Sequence, residues 1–458
     1  MTSHPLPRRA FTGALASLAL GGCRSAGCQP QKQRAQTKGS TRQVVMISID
    51  GLRPDYLLEA DALGLAIPRL RRLMSTGAVA AGMTSVWPTV TYPAHTTLVT
   101  GARPTRHGVA TNYPFDPMRT KPGAWLWYAD AIRTRTLWNA TRAAGLTSAA
   151  CYWPVTVGAE VDWNLPQIWK TKTDDDDELL RATATPGLAD AMRAGIGALP
   201  AEHRSDLERS KGAAWLLREK RPELLLAYLT DLDTSQHATG PFSRDARTTL
   251  EAIDAGVGRI IDAANPADQT TFVVVSDHGF LPVSRLTRPY VLFAKEKLVE
   301  IERDKLKTWR AALMPAGGMC GVVLSDPSDA ALRSRVGEVL SRAAADRAIG
   351  IRRVIGEAEL GRLGGFPGAA FALEAETGFE LSPSLDGPLT DTASHLGTHG
   401  YAPDRPEMHA ALVLSGAGIK AGAKLGVVSM LDVAPTVAAL LGLTLPDAEG
   451  RVLAAALG

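Results

Sequence analysis

Apolar residues fall into two alternating kinds of stretch along this chain. Short unbroken runs occur at Val44–Ile49, Leu224–Leu229, Thr271–Val275 and Ala410–Leu414. They lack the polar alternation of a half-exposed strand, so they predict strands covered on both faces. Between them, apolar positions three and four apart predict helices over Ile67–Ser75, Leu137–Ala144, Leu207–Glu219, Thr248–Ala263 and Ala330–Ala345. Met430–Leu441 reads as a last helix, with Gly442 as its stop. Strands alternating with helices in this way predict an α/β fold, a mainly parallel central sheet with helices on both faces. From about 280 to 396 the rhythm lapses, and that stretch reads as an inserted subdomain on the same sheet.

Three of the four strands end at a group able to bind a metal. Asp50 follows the first, Asp233 lies just beyond the second, and Asp277 with His278 follows the third. In open α/β sheets the carboxyl ends of the strands are where ligands bind, and a random scatter of Asp and His would not show this regularity. Each motif also has a plain structural reading. Asp50-Gly51 suits a tight turn, Thr91 lies where a helix begins, Asp233 and His237 stand four apart as on one helical face, and His399 sits between glycine-containing loop residues. Together these acids, imidazoles and one hydroxyl supply ligands for two metal ions and a nucleophile.

Composition changes this picture little. The 458 residues are 45% apolar and 21% charged, which excludes a disordered or fibrous chain. The net charge of +3 falls to +1 without Arg8 and Arg9, so charge implies no nucleic-acid polymer. A run of acids in Thr173–Glu178 lacks the glycine and closing glutamate of a calcium loop and reads as a solvated loop.

The amino terminus reads separately. Arg8 and Arg9 precede the mostly apolar Phe11–Leu20, the proportions of an export signal over residues 1–22. Leu20-Gly21-Gly22-Cys23 resembles a bacterial lipoprotein processing site, and Arg8-Arg9-Ala10-Phe11 resembles a twin-arginine signal. The expectation is an exported protein of the periplasm or cell envelope, lipid-anchored through Cys23 on a polar tether, residues 23–42; a plain cleaved signal is the alternative. The membrane is expected only through that anchor. The catalytic region then spans 43–458. Cys151 and Cys320 remain, either to pair or to lie buried as free thiols.

In order and local sequence these segments resemble the nucleotide pyrophosphatase/phosphodiesterase family of the alkaline phosphatase superfamily. Thr91-Tyr92-Pro93-Ala94-His95 is similar to that family's Thr-Phe-Pro-Asn-His motif, continued by Leu98–Gly101 and His107-Gly108. Tyr228–Pro241, Asp277-His278-Gly279 and Gly397–Tyr401 resemble its metal motifs. The resemblance implies an alkaline phosphatase-like fold and two zinc ions, with other divalent metals possible substitutes. Asp233, His237 and His399 would hold one ion, and Asp50, Asp277 and His278 the other, with Thr91 on the second as nucleophile. Asp231 is left out because its spacing to His237 does not fit the motif. Asn112 would contact a phosphate oxygen together with the Tyr92 amide, and the Tyr92 ring would flank a nucleobase.

The activity so implied is hydrolysis of a phosphodiester or pyrophosphate bond in a small nucleotide-like substrate through a threonine-phosphoryl intermediate. A phosphomonoesterase, or a lysophospholipid or phosphocholine phosphodiesterase, on the same fold is the alternative. A non-catalytic metal-binding exported protein is another, disfavoured because a mere binder has no need of a hydroxyl in register with the metals. Ala94 replaces the family's asparagine, which puts substrate preference in doubt. No Cys-x-Pro-x-Arg or Ser-x-Pro-x-Arg run points to the sulfatase branch.

Overall fold

The computed structural model describes residues 43–121, 123–168, 170, 173, 175–200, 205–264, 267–303 and 305–458. The signal, the tether and Cys23 lie outside them. The chain first lays down β1 (Gln43–Ile49), β2 (Gly77–Thr84), β3 (Ser148–Cys151), β4 (Trp163–Leu165), β5 (Leu224–Leu229) and β6 (Thr270–Val275). It then leaves through β7 (Leu281–Thr287) and builds β8 (Val299–Glu302), β9 (Lys305–Trp309), β10 (Ala311–Ala316), β11 (Met319–Leu324), β12 (Ile351–Gly356), β13 (Phe371–Ala375), β14 (Gly378–Leu381), β15 (Thr390–Thr392) and β16 (Gly397–Thr398). It returns as β17 (Leu412–Gly416) and β18 (Ala423–Ser429).

The central sheet has the order β18-β2-β17-β6-β1-β5-β3-β4. Only β17 runs against its neighbours; the other pairings are parallel. Period-two alternation splits each central strand between two cores. Val45, Ile47, Ile49, Leu225, Ala227 and Leu229 face one core, under the helices Pro68–Thr76, Asp206–Glu219 and Arg244–Ala263. Val44, Met46, Leu224, Leu226 and Tyr228 face the other, under Thr91–Thr100, Leu137–Ala143 and Val433–Leu440. Burial of both faces is why these runs carry no polar alternation.

The region after β6 has its own core and its own sheet, β10-β11-β13-β12, backed by the helix Ala330–Ala345. Strand β7 ties it back by pairing with β14, β15 and β16. Two expectations are corrected. The stretch from about 280 to 396, read as lying on the same sheet, adds no strand to the central sheet among the described residues and forms sheets of its own. The acids read as a solvated loop begin the helix Asp175–Thr183, where negative charge suits the helix N-terminus, and Asp177 pairs with Arg193 at 2.6 Å. Of the two alternatives left open for Cys151 and Cys320, the structure shows the second: they do not pair, and each is a buried free thiol in a different core, its pKa pushed up to about 12 by burial.

Candidate active site

Register places the first ligands. Ser48 pairs with Val275 across β1 and β6, so Asp50 and Asp277 emerge side by side two residues later. Gly51 then turns at φ +69, where a Cβ would stand 2.8 Å from the Gln236 side chain; its N–H donates to Asp277 Oδ1 at 3.2 Å. The His278 N–H and the Ser276 hydroxyl donate to the same oxygen at 3.0 and 3.3 Å. Tyr228, reaching over from β5, donates its hydroxyl to Asp50 Oδ2.

One oxygen of each carboxylate is thereby held, and the other faces inward. Asp50 Oδ1 and Asp277 Oδ2 each lie 3.3 Å from His278 Nε2. All three atoms are buried, and none has a hydrogen-bond partner. Nδ1 of His278 donates to the Gly279 carbonyl at 3.1 Å, so Nε2 presents a lone pair. Burial drives the His278 pKa well below its usual range, keeping the ring neutral. Burial, then the nearby Asp233 and Asp277 charges, drives Asp50 well above the carboxylate range. Three buried acceptors aimed at one point are costly without a cation between them, and oxygen and imidazole donors in that number suit a divalent one.

A second trio forms across the helix Asp231–Thr239. Asp233 and His237 share one face of that helix, with Oδ1 and Nε2 3.5 Å apart, and His399 Nε2 comes within 3.7 Å of the same oxygen. His237 Nδ1 donates to the Gly397 carbonyl at 2.9 Å and His399 Nδ1 to the Thr89 carbonyl at 3.0 Å. All three histidines thus spend Nδ1 on a backbone carbonyl and aim Nε2 inward, the arrangement that orients imidazole toward a metal. In each trio the donor atoms lie within 4.8 Å of one another. The two meet where the His278 and His399 rings stack in parallel at 3.6 Å. His399 owes its place to Gly400, at φ +88, where a Cβ would fall 1.6 Å from the Ala316 carbonyl oxygen.

Thr91 is the first residue of the helix Thr91–Thr100, and Val90 is the cap. Its hydroxyl caps nothing and faces a cleft of about 1030 Å³, which it lines with Asn112, Asp233, His237 and His399. Asp231, set aside above, instead accepts from Arg209 and the Asp206 N–H, pinning the start of the ligand-bearing helix.

The substrate contacts read from the sequence change in two respects. The Tyr92 N–H does not reach the cleft free: it donates to Asn112 Oδ1 at 2.9 Å, which leaves the Asn112 amide group as the donor there. The Tyr92 ring is fully buried under Trp125, 5.3 Å between centroids, and does not line the cleft. Trp125 and Tyr113, 4.5 Å apart, provide an aromatic wall instead. Ala94 is likewise buried in the core, away from the cleft, so it bears on packing rather than on substrate.

Tyr228 and His95 were not singled out for a role above. His95 is sealed behind the first trio, its Nδ1 2.8 Å from the Thr91 carbonyl and 3.6 Å from Asp277 Oδ2. A phenol inside an otherwise apolar strand was the available signal for Tyr228, because a buried hydroxyl needs a partner.

A family model described as type I phosphodiesterase / nucleotide pyrophosphatase matches residues 44–346. Human ectonucleotide pyrophosphatase/phosphodiesterase family member 1 is 26% identical over 254 residues, 52% of this chain and 24% of that protein. Venom phosphodiesterase of Macrovipera lebetinus is 25% identical over 257 residues, 53% and 26% of the two chains. The chain thus spans about a quarter of the length of these curated relatives. Murine ectonucleotide pyrophosphatase/phosphodiesterase 5, an inactive form solved with AMP, has a TM-score of 0.66 at 19% identity, covering 90% of this chain and 97% of that one. The human counterpart has 0.65 at 21%, covering 89% and 97%. These likenesses establish an alkaline phosphatase-like fold. The family match covers well over half of the sequence, and by it the chain belongs to the type I phosphodiesterase / nucleotide pyrophosphatase family.

Proposed function

We propose that this protein is an exported two-metal hydrolase of phosphodiester or pyrophosphate bonds in nucleotide-like substrates, with Thr91 as nucleophile. The observation that carries the reading is the Thr91 hydroxyl, unused by its own helix, sharing one cleft with Asp233, His237 and His399 while the buried trio lies behind them. Two divalent cations, zinc by preference, would supply charge neutralisation and lower the pKa of a coordinated hydroxyl.

The chain's own groups do the rest. A helix N-terminus favours the negative charge that gathers at Thr91. As Thr91 Oγ1 bonds to phosphorus it gives up its proton to solvent, and the bond to the leaving oxygen breaks in line, that oxygen taking a proton from solvent in turn. Water then attacks the threonine-phosphoryl group from the vacated side, restoring the hydroxyl with net retention at phosphorus. The Asn112 amide group, held by its bond to the Tyr92 N–H, donates to a non-bridging oxygen. Tyr113 and Trp125 offer an apolar face to a ring on the substrate.

Thr91→Ala tests this directly. Hydrolysis of the nitrophenyl ester of thymidine monophosphate should fall by at least ~10³-fold with zinc content unchanged; normal turnover would rule the mechanism out. Rates on that ester, nitrophenyl phosphate and nitrophenyl phosphocholine rank diesterase, monoesterase and choline-directed activity.

Export and the Cys23 anchor are part of the proposal and rest on the leader sequence. No helix among the described residues is long and apolar enough to cross a membrane. Cys23→Ala should release the protein from membranes, and continued attachment would count against lipidation.

A further inference from the structure

Tyr228 is the fifth residue of β5 and is almost completely buried. It stands opposite Ser48 in the register with β1, two residues short of Asp50, and its hydroxyl spans that step to donate to Asp50 Oδ2. Its ring is fixed edge-on to His95 at 4.4 Å, with Tyr152 stacked 6.2 Å away. The terminal torsion of a carboxylate is soft and nearly two-fold. A donor locked in a core therefore decides which oxygen faces which way. Here it holds Oδ2 and leaves Oδ1 aimed at His278 Nε2.

We propose that Tyr228 is a positioning residue for the buried trio: by anchoring Asp50 Oδ2 it presents Oδ1 to a divalent cation and sets the affinity of Asp50, Asp277 and His278 for it. The inference rests on the two-metal reading of the site. It is specific to one trio, because His237 and His399 in the cleft are oriented by the backbone carbonyls of Gly397 and Thr89. No side-chain substitution removes those partners.

The test strips metal from the full-length chain and titrates zinc against a chromophoric chelator. Tyr228→Phe keeps the ring and deletes the donor. One site should weaken by about 10–100-fold, the usual effect of losing an outer partner of a ligand, and the other should stay within about twofold. Raising free zinc should restore the rate, whereas a damaged fold would not recover. Combined with Asp50→Asn, Tyr228→Phe should add no further weakening. Two sites unchanged in Tyr228→Phe would overturn the inference alone. Both sites weakening together with a drop in the thermal midpoint of the metal-free protein would also overturn it, as the mark of a packing role. A wild-type chain that takes up no zinc would overturn the metal reading and this inference with it.

Discussion

The two trios use the same donor types, two histidine-and-carboxylate sets of three, yet they are built differently. Asp50, Asp277 and His278 come from the ends of adjacent strands, are sealed from solvent, and have every outward-facing atom tied down by Tyr228, Ser276, Gly51 or Gly279. Asp233, His237 and His399 come from a helix and a distant loop and line the cleft. Burial makes the first trio a place where charge must be balanced before the chain is comfortable. Exposure makes the second a place where substrate can arrive. On the two-metal proposal, the difference teaches that an ion held by the first trio would belong to the fold as much as to the reaction, while one held by the second would belong chiefly to the reaction.

The comparison is most exposed to removal of single ligands. His278→Ala and His237→Ala should each cost at least ~10³-fold in kcat/KM, since two-metal displacement needs both ions. Chelation should separate them in time, with rapid loss of one zinc and slow loss of the other; a single fast phase of two zincs, followed by a metallochromic dye, would erase the distinction. Next in size is the stabilisation by metal. At about 1,000 times its Kd, each zinc should raise the unfolding free energy by about 4 kcal/mol, and the share of the buried trio should survive His237→Ala and be lost in His278→Ala, as read by denaturant titration.

Acid sharpens the contrast further. Burial holds His107 down at about 3, against an unfolded value near 6.5. A depressed histidine pKa means the unfolded chain binds more protons in that window, so stability falls as pH drops from about 6.5 toward 3. At pH 5.5 this share is about 1.4 kcal/mol, and it should persist with or without metal and disappear in His107→Gln. His278 is depressed in the same direction, and a cation held by the neutral ring would keep its share rather than remove it. Smaller again is Asp50→Asn in metal-free protein, which relieves a buried carboxylate facing Asp277 and should stabilise by about 1 kcal/mol. Asp233→Asn, at the cleft, should stay within about 0.5 kcal/mol. Equal effects on thermal unfolding would mean the two sites are alike.

Much of the framework was legible along the chain. The run at Leu224–Leu229 is β5 itself, and the helix Ala330–Ala345 has the same ends in the structure. Strand β2 was not legible, because Gly77–Thr84 is mostly glycine and alanine and carries little β preference. The last helix is shorter than its pattern, beginning after a 3₁₀ turn at Met430–Asp432 and ending at Leu440 ahead of Gly442. The site was legible where a ligand directly follows an apolar strand, as at Asp50 and Asp277. It was not legible where depth decided the role. Tyr92, adjacent to Thr91, turns inward under Trp125, while Trp125 and Tyr113, distant in sequence, turn toward the cleft.

By itself the sequence determined the strand ends that carry ligands and the family to which they compare, because doubly buried strands write unbroken apolar runs and the polar residue after each one stands out. Tertiary structure alone decided how those ligands divide into a sealed trio and an open one. Registers between strands, the stacking of His278 on His399, and the hydroxyl of Tyr228 reaching Asp50 join residues up to 227 positions apart. No local pattern records such a distance, since each partner satisfies its own segment equally well without the other.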